Sequence, residues 1–166
     1  MIVSVIGLGY IGLPTAAILA TNGVNVVGID VNAKIVNTTN KGKSHFFEPE
    51  LDILIKRAVQ MGNLRASTKF EKADIFIVAV STPLNKDKTP NLSYIETASK
   101  ALAPFLEKGN LVILESTSPV GTTEKMMSWM NQERPDLSFP NISKQKTNNL
   151  EDKLVSDIAV AYCPER

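Results

Sequence analysis

Three observations predict an α/β fold, a doubly wound and mostly parallel sheet with helices on both faces. Short apolar runs recur along the chain with helical stretches between them, the pattern of parallel strands joined by crossover helices. The first run, Ile2–Ile6, is almost continuously apolar, as a strand at the centre of a parallel sheet should be. A glycine-rich turn, Gly7–Gly12, follows that run directly and opens a helical stretch.

The alternation continues to the end of the chain, and local signals mark several element boundaries. Asn32 is expected to cap a helix, Pro49 suits a first helical turn, Gly62 closes a helix and Pro104 interrupts one. The predicted strands span residues 2–6, 25–29, 63–67, 75–80, 111–114 and 158–162. The predicted helices span residues 11–21, 32–40, 48–61, 93–106 and 122–134, and the polar stretch 135–152 is predicted to be a loop.

Composition narrows the class of protein. The 166 residues suit one domain, and 43% hydrophobic and 21% charged residues are ordinary globular values. With a net charge of +1 the chain lacks the excess of positive charge that attracts nucleic acid. Its single cysteine cannot form an internal disulfide, and no cysteine and histidine residues have the spacing of zinc ligands. Glycines at positions 7 and 9 interrupt the first apolar run far short of a membrane span. We expect a cytoplasmic protein that uses no metal, nucleic acid or membrane.

The glycine-rich turn has the spacing of a dinucleotide-binding site. Gly7 permits the tight turn, Gly9 lets the backbone approach a pyrophosphate, and Gly12 lets the helix pack closely on the strand. The backbone N–H groups of Tyr10 and Ile11 are the expected phosphate donors at the positive end of the helix dipole. The alternative is a glycine turn without a ligand. The surrounding strand, helix and downstream acid favour a Rossmann-like cofactor site.

The downstream acid is Asp30, eighteen positions after Gly12 at the end of the second strand. A carboxylate there accepts hydrogen bonds from ribose hydroxyls and repels a 2′-phosphate, so the sequence predicts NAD rather than NADP. Lys34 is the nearest cation, and no arginine follows Asp30 to receive that phosphate. The alternative role for Asp30 is capping of the next helix. The turn containing Thr82, after the strand at 75–80, is a further candidate contact with NAD.

Three segments together carry a family resemblance. They are Gly-Leu-Gly-Tyr-Ile-Gly-Leu-Pro at residues 7–14, Glu-Ser-Thr-Ser-Pro-Val-Gly-Thr-Thr at 115–123 and Tyr-Cys-Pro-Glu-Arg at 162–166. With these motifs the chain resembles the UDP-glucose/GDP-mannose dehydrogenase family over essentially its whole length. The segments at 64–68, 111–116 and 134–137 resemble the branch that oxidises UDP-N-acetyl-D-mannosamine.

This resemblance implies an enzyme that oxidises the C6 alcohol of a nucleotide sugar to a carboxylate with two NAD in succession. In the family a cysteine thiolate captures the intermediate aldehyde as a thioester, and a lysine stabilises oxyanions. The motifs that carry this cysteine and lysine would lie beyond Arg166. We therefore expect residues 1–166 to be the NAD-binding part of a longer, homodimeric enzyme with a UDP-binding domain, and to be inactive alone.

The resemblance also assigns roles to individual residues. The positions that match NAD contacts in the family are Tyr10, Ile11, Asp30, Thr82 and Thr123. Thr117 matches a threonine near the reacting centre, and Glu165 matches a glutamate implicated in catalysis. Arg166 matches a substrate contact, and its place after Pro-Glu favours N-acetylated sugars. Helix capping is the alternative role for Thr117 and Thr123.

Other conspicuous residues have plainer expected roles. Cys163 does not match the family's cysteine motif and is expected to be a small, semi-buried thiol. His45, the single histidine, is expected to be structural or on the surface. The helical group Met126, Met127, Trp129 and Met130 is expected to pack in the core or against a missing domain.

Two other functions remain open. One is UDP-N-acetylglucosamine 6-dehydrogenase, which belongs to the same family. The other is a nucleotide-binding sensor without chemistry, because a fold does not determine a function.

Overall fold

The computed structural model describes residues 1–140 and 156–164. The strands within these residues form one six-stranded sheet. Every strand pair is parallel, and the strands lie in the order β3-β2-β1-β4-β5-β6. The predicted doubly wound α/β fold is confirmed. The strands are β1 (Ile2–Ile6), β2 (Asn25–Ile29), β3 (Leu64–Ser67), β4 (Ile75–Val78), β5 (Leu111–Leu114) and β6 (Ala159–Tyr162).

Helices cover both faces of the sheet and enclose two apolar cores. The helices are α1 (Gly12–Thr21), α2 (Ala33–Asn40), α3 (Leu51–Gln60), α4 (Ser93–Leu102) and α5 (Thr122–Glu133). The core beneath α1 and α3 includes Leu13 and Ile55, and the core beneath α4 and α5 includes Leu102 and Met130. Side chains of the central strands alternate between the two cores, which accounts for the apolar character of these strands on both sides.

Two helices differ from their predicted bounds by three or more residues at one end, and each of these differences has a local cause. Helix α3 begins at Leu51 instead of residue 48, because Glu50 adopts a left-handed conformation with φ of 64°. Pro49 therefore lies before the helix, and its predicted place in the first turn is wrong. Helix α4 ends at Leu102 and continues as one 3₁₀ turn, Ala103–Phe105, because Pro104 has no N–H to extend the helix.

Other expectations agree with the fold. The side chain of Asn32 caps α2 by accepting a hydrogen bond from the Lys34 N–H at 3.0 Å. Met126, Met127 and Met130 are buried in the core, with Trp129 packed against them. Residues 135–140 of the predicted loop contain neither helix nor strand, and its remainder lies outside the described residues. Within the described ranges, every helix is too short or too polar to cross a membrane.

Ser4 places a polar atom in the middle of the central strand. Its side chain is fully buried, and its hydroxyl has no hydrogen-bond partner among the residues that the structure describes. A buried hydroxyl without a partner loses its hydration without compensation, so we expect Ser4→Ala to raise the free energy of unfolding by about 1 kcal/mol. Urea unfolding would measure the change.

The matched control for this substitution is Ser99→Ala. Ser99 is equally buried, but its hydroxyl donates a hydrogen bond to the Ile95 carbonyl at 2.6 Å. Its removal should bring no comparable gain. An unfolding free energy for Ser4→Ala at or below that of the wild type would contradict the interpretation.

A second polar feature joins β6 to the segment after α5. The Asp157 carboxylate accepts hydrogen bonds from the Ser138 N–H at 2.9 Å and the Ser138 hydroxyl at 2.8 Å, and it pairs with Lys108 at 3.1 Å. The backbone N–H of Ser138, then Lys108 and the Ser138 hydroxyl, lower the pKa of Asp157 from 3.8 to about 2. These groups favour the charged carboxylate in the folded state.

This lowered pKa predicts acid sensitivity at Asp157. The folded chain binds fewer protons at this group than the unfolded chain does, so the stabilisation is complete above the unfolded pKa of about 4. It is lost as the pH falls towards the folded pKa of about 2. We expect Asp157→Asn to lower the melting temperature at pH 7 and the two melting curves to converge near pH 2. A difference that persists unchanged at pH 2 would contradict this.

Candidate cofactor-binding site

The candidate site lies at the carboxyl edge of the sheet. Because all the strands are parallel, the segments that follow them meet at this one edge. The strand order reverses between β1 and β4, which are neighbours although β2 and β3 separate them in the chain. Doubly wound sheets bind ligands in the crevice at such a switch point. The glycine turn after β1 lies beside this crevice.

The glycine turn leaves no room for side chains at two of its three glycines. Gly7 has φ of +92°, and a Cβ atom there would lie 2.7 Å from the Ala79 carbonyl oxygen. A Cβ atom on Gly12 would lie 1.9 Å from the Gly7 carbonyl oxygen. A Cβ atom on Gly9 would meet no atom within 4 Å, so its surface is open for a close ligand approach. The turn has the shape of a pyrophosphate cradle.

The amino terminus of α1 completes this cradle. Ile11 occupies the N-cap position, and no side chain caps the helix there. The backbone N–H groups of the first turn and the positive end of the helix dipole therefore suit an anion. Tyr10 is exposed, and its ring packs 4.3 Å from that of Phe46. His45 is exposed beside Phe46, in agreement with its expected surface role.

Asp30 connects the glycine turn to the end of β2. One carboxylate oxygen accepts a hydrogen bond from the Leu8 N–H at 3.0 Å, and the other accepts one from the Asn32 N–H at 2.8 Å. The helix cap is Asn32, so the alternative role of Asp30 as the α2 cap is wrong. Asp30 is only half-buried, and each oxygen retains a lone pair for a ribose hydroxyl.

A cleft of about 840 Å³ opens between the glycine turn, the end of β2 and helix α4. Asp30 and Ser81 supply polar groups, while much of the remaining wall is apolar. An apolar cleft with few polar groups fits an adenosine moiety. The apolar lining includes Ile6, Ile29, Val31, Ile35, Phe70, Val80 and Ala98.

The segment after β5 is bonded to several other elements of the edge. The Thr82 hydroxyl donates a hydrogen bond to the Thr117 carbonyl at 2.7 Å, and the Ser116 hydroxyl donates one to the Val80 carbonyl at 2.7 Å. The Thr15 hydroxyl of α1 donates to the Glu115 carboxylate at 3.1 Å. Ser116 and Thr15 were not singled out from the sequence. Their partners are distant along the chain, and no local pattern reports such pairings.

Thr123 lies in the first turn of α5, where it is half-buried. Gly121 occupies the N-cap position with φ of +89°, and no side chain caps this helix. The capping alternative for Thr117 and Thr123 is therefore wrong. The neighbouring Thr122 hydroxyl donates a hydrogen bond to the Pro119 carbonyl at 2.7 Å. The contacts of Thr117 and Thr123 with a cofactor stay predictions.

Cys163 follows β6, and its thiol is exposed, so the expectation that it is semi-buried is wrong. In the part of the chain that the structure describes, β6 is an edge strand, and the adjacent Ala161 and Tyr162 are exposed as well, so these residues leave the end of the strand largely uncovered. Glu165 and Arg166 lie outside the described residues. Within the described ranges, no group of three metal-ligating side chains comes together.

Comparison with known protein families identifies the family of the chain. Residues 1–166 match the model of the UDP-glucose/GDP-mannose dehydrogenase family, NAD binding domain. The chain belongs to this family. Its cofactor is accordingly NAD, and the glycine cradle beside the apolar cleft fits that dinucleotide.

Three relatives place the chain within the family. It is 58% identical over 165 residues to the UDP-N-acetyl-D-mannosamine dehydrogenase of Campylobacter jejuni, covering 99% of this chain and 38% of that protein. It is 52% identical to the NDP-N-acetyl-D-galactosaminuronic acid dehydrogenase of Ralstonia nicotianae, covering 99% of this chain and 37% of that protein. The solved UDP-D-ManNAc dehydrogenase of Pyrococcus horikoshii superposes with a TM-score of 0.84 at 37% identity, covering all of this chain and 36% of that one.

The chain thus spans less than two fifths of the length of these relatives. It is an NAD-binding domain of the nucleotide-sugar dehydrogenase type.

Proposed function

We propose that this chain is the NAD-binding part of an enzyme that oxidises UDP-N-acetyl-D-mannosamine to UDP-N-acetyl-D-mannosaminuronate with two NAD. The observation that carries the proposal is 58% identity to the Campylobacter jejuni enzyme over nearly the whole chain. Bacterial surface-polysaccharide synthesis is the proposed context, with a cytoplasmic location and a homodimeric longer protein.

The proposed contacts with NAD are made by residues at the carboxyl edge of the sheet. Tyr10 and Ile11 would donate backbone hydrogen bonds to the pyrophosphate, and Gly9 would allow its close approach. Asp30 would accept hydrogen bonds from the adenosine ribose while holding the glycine turn in place. Thr123 would face the cofactor from the start of α5. Bound NAD supplies the acceptor for hydride from the sugar carbon.

The proposed roles at the substrate belong to the loops after β5 and β6. Thr117 would hold a water or the nicotinamide side, Glu165 would act near the sugar, and Arg166 would bind the nucleotide sugar. The thiolate and the lysine that the family's chemistry requires would come from outside residues 1–166. The chain alone is therefore proposed to bind NAD without turnover.

A second candidate substrate is a UDP- or NDP-linked N-acetylgalactosamine derivative. The 52% identity to the Ralstonia nicotianae dehydrogenase favours it. UDP-N-acetylglucosamine is a further alternative within the same chemistry. A nucleotide sensor without chemistry is less well supported, because such a sensor has no use for the segments that match the family beyond the cofactor site.

The test uses the longer protein that is proposed above. We expect it to reduce two NAD for each UDP-N-acetyl-D-mannosamine, followed by absorbance at the NADH band and by detection of the uronate. UDP-N-acetylglucosamine and UDP-N-acetylgalactosamine should react much more slowly. A preference for either of these sugars would replace the proposed substrate, and NAD binding without reduction would favour the sensor.

A further inference from the structure

The four residues after β5 are hydrogen-bonded to three different parts of the carboxyl edge. Glu115 accepts a hydrogen bond from α1, and the Ser116 side chain donates to the segment after β4. The Thr117 carbonyl accepts from the same segment after β4, and the Ser118 backbone exchanges hydrogen bonds with the Tyr162 hydroxyl of β6 at 3.3 and 3.2 Å. We call residues 115–118 the β5 loop.

The bonds between the β5 loop and the segment after β4 are reciprocal. Ser116 donates to the Val80 carbonyl, and Thr82 donates to the Thr117 carbonyl, each at 2.7 Å. Two bonds in opposite directions define both the separation and the register of the two segments. A loop held in this way loses less conformational freedom when a ligand binds to it.

Thr82 faces the β5 loop and not the cleft. Val80, Ser81 and Pro83 all line the cleft at the end of β2, whereas Thr82 is not part of that lining. Thr82 is half-buried, and its hydroxyl instead donates a hydrogen bond to the Thr117 carbonyl. The segment after β4 therefore has two sides, of which one faces the adenosine cleft and the other supports the β5 loop.

The two sides correspond to the two halves of the cofactor. Given the proposed NAD site, Asp30 at the end of β2 marks the adenosine half. A dinucleotide lies across the switch point between β1 and β4, so its other half extends beyond β4 towards β5. The β5 loop therefore borders the nicotinamide half.

We propose that Thr82 is a positioning residue for the nicotinamide ring of NAD and acts through the Thr117 carbonyl. Its hydroxyl fixes the position of the β5 loop against which the nicotinamide ring binds, and the ADP-ribose part of NAD binds independently of it. This inference rests on the proposed NAD site. It adds that Val80, Ser81 and Pro83 face the adenosine half of NAD, whereas Thr82 supports the β5 loop.

The test compares NAD with ADP-ribose, which shares every part of NAD except the nicotinamide ring. Calorimetric titration of the 166-residue chain should show that Thr82→Val weakens NAD binding about fivefold, the effect of one lost hydrogen bond. The affinity for ADP-ribose should change less than about twofold. Thr82→Ser retains the hydroxyl and should bind NAD as the wild type does.

The matched control is Thr21→Val, at the far end of α1. The Thr21 hydroxyl bonds only to carbonyls of its own helix among the described residues, at 3.0 Å. This variant should bind both ligands normally. Ser116→Ala removes the reciprocal bond and should reproduce the selective loss of NAD affinity if Thr82→Val proves too unstable to titrate.

Three outcomes would overturn the inference. Equal weakening of NAD and ADP-ribose by Thr82→Val would place Thr82 in contact with their shared part. Unchanged binding of both ligands would remove any positioning role. Failure of Thr82→Ser to restore NAD affinity would exclude the hydroxyl as the cause. Absence of NAD binding by the wild type would instead contradict the proposed function itself.

Discussion

Gly12→Ala is expected to destabilise the domain by more than about 3 kcal/mol and to lower its melting temperature by about 10 °C. The new methyl group would lie 1.9 Å from the Gly7 carbonyl oxygen and 3.1 Å from the Ala79 Cβ atom. The first contact is with backbone, so no side-chain rotation can relieve it. Either α1 must move away from β1 or the glycine turn must open. Thermal unfolding followed by circular dichroism would measure the loss.

Gly9→Ala is the matched control, since the same methyl group meets nothing within 4 Å there. Its free energy of unfolding should lie within about 1 kcal/mol of that of the wild type, because the added methyl group clashes with no other part of the domain. NAD affinity should nevertheless fall at least about tenfold, because the methyl group occupies the approach of the pyrophosphate. Equal stability losses for the two variants would contradict the distinct roles that the turn assigns to them.

Asp30→Ala is expected to weaken NAD binding by about 30-fold, equivalent to about 2 kcal/mol. The substitution removes the carboxylate that accepts the Leu8 and Asn32 N–H groups, and with it the proposed acceptor for the ribose hydroxyls. NADP binding should change much less, because the wild-type carboxylate repels the 2′-phosphate. The ratio of the two affinities should therefore shift towards NADP, as calorimetric titration of both cofactors would show.

Asp74→Ala is the control for Asp30→Ala. The Asp74 carboxylate also accepts a backbone hydrogen bond, from the Ile2 N–H at 2.6 Å, but it lies at the amino end of β1. Its removal should leave the affinity for both cofactors unchanged. Wild-type chain that bound NADP as tightly as NAD would show that Asp30 does not select the cofactor.

The fold could be predicted because its signals are local. Strands β1, β2 and β5 have their predicted bounds, since each is a short apolar run between turn residues. The start of α3 could not be predicted in this way. Glu50 takes a left-handed conformation that its residue type disfavours, and nothing in the neighbouring sequence signals it.

The candidate site was only partly predictable. The glycine turn and Asp30 belong to one βαβ unit, so their spacing along the chain reports their proximity in space. The exposed thiol of Cys163 was missed, because burial at an edge strand depends on which elements cover it. The contacts of the β5 loop were missed for a related reason. Thr15 and Glu115 are 100 residues apart, and only the sheet order brings them together.

The sequence by itself determined the class of fold and predicted NAD as the cofactor of the glycine turn, because each inference depends on residue types within a short stretch of chain. The tertiary structure decided which side chains act on which neighbours. Thr82 was a candidate cofactor contact in the sequence, and the fold turns its hydroxyl towards the Thr117 carbonyl. Such pairings arise only when parallel strands from distant parts of the chain end at one edge, where the position of each loop depends on its neighbours.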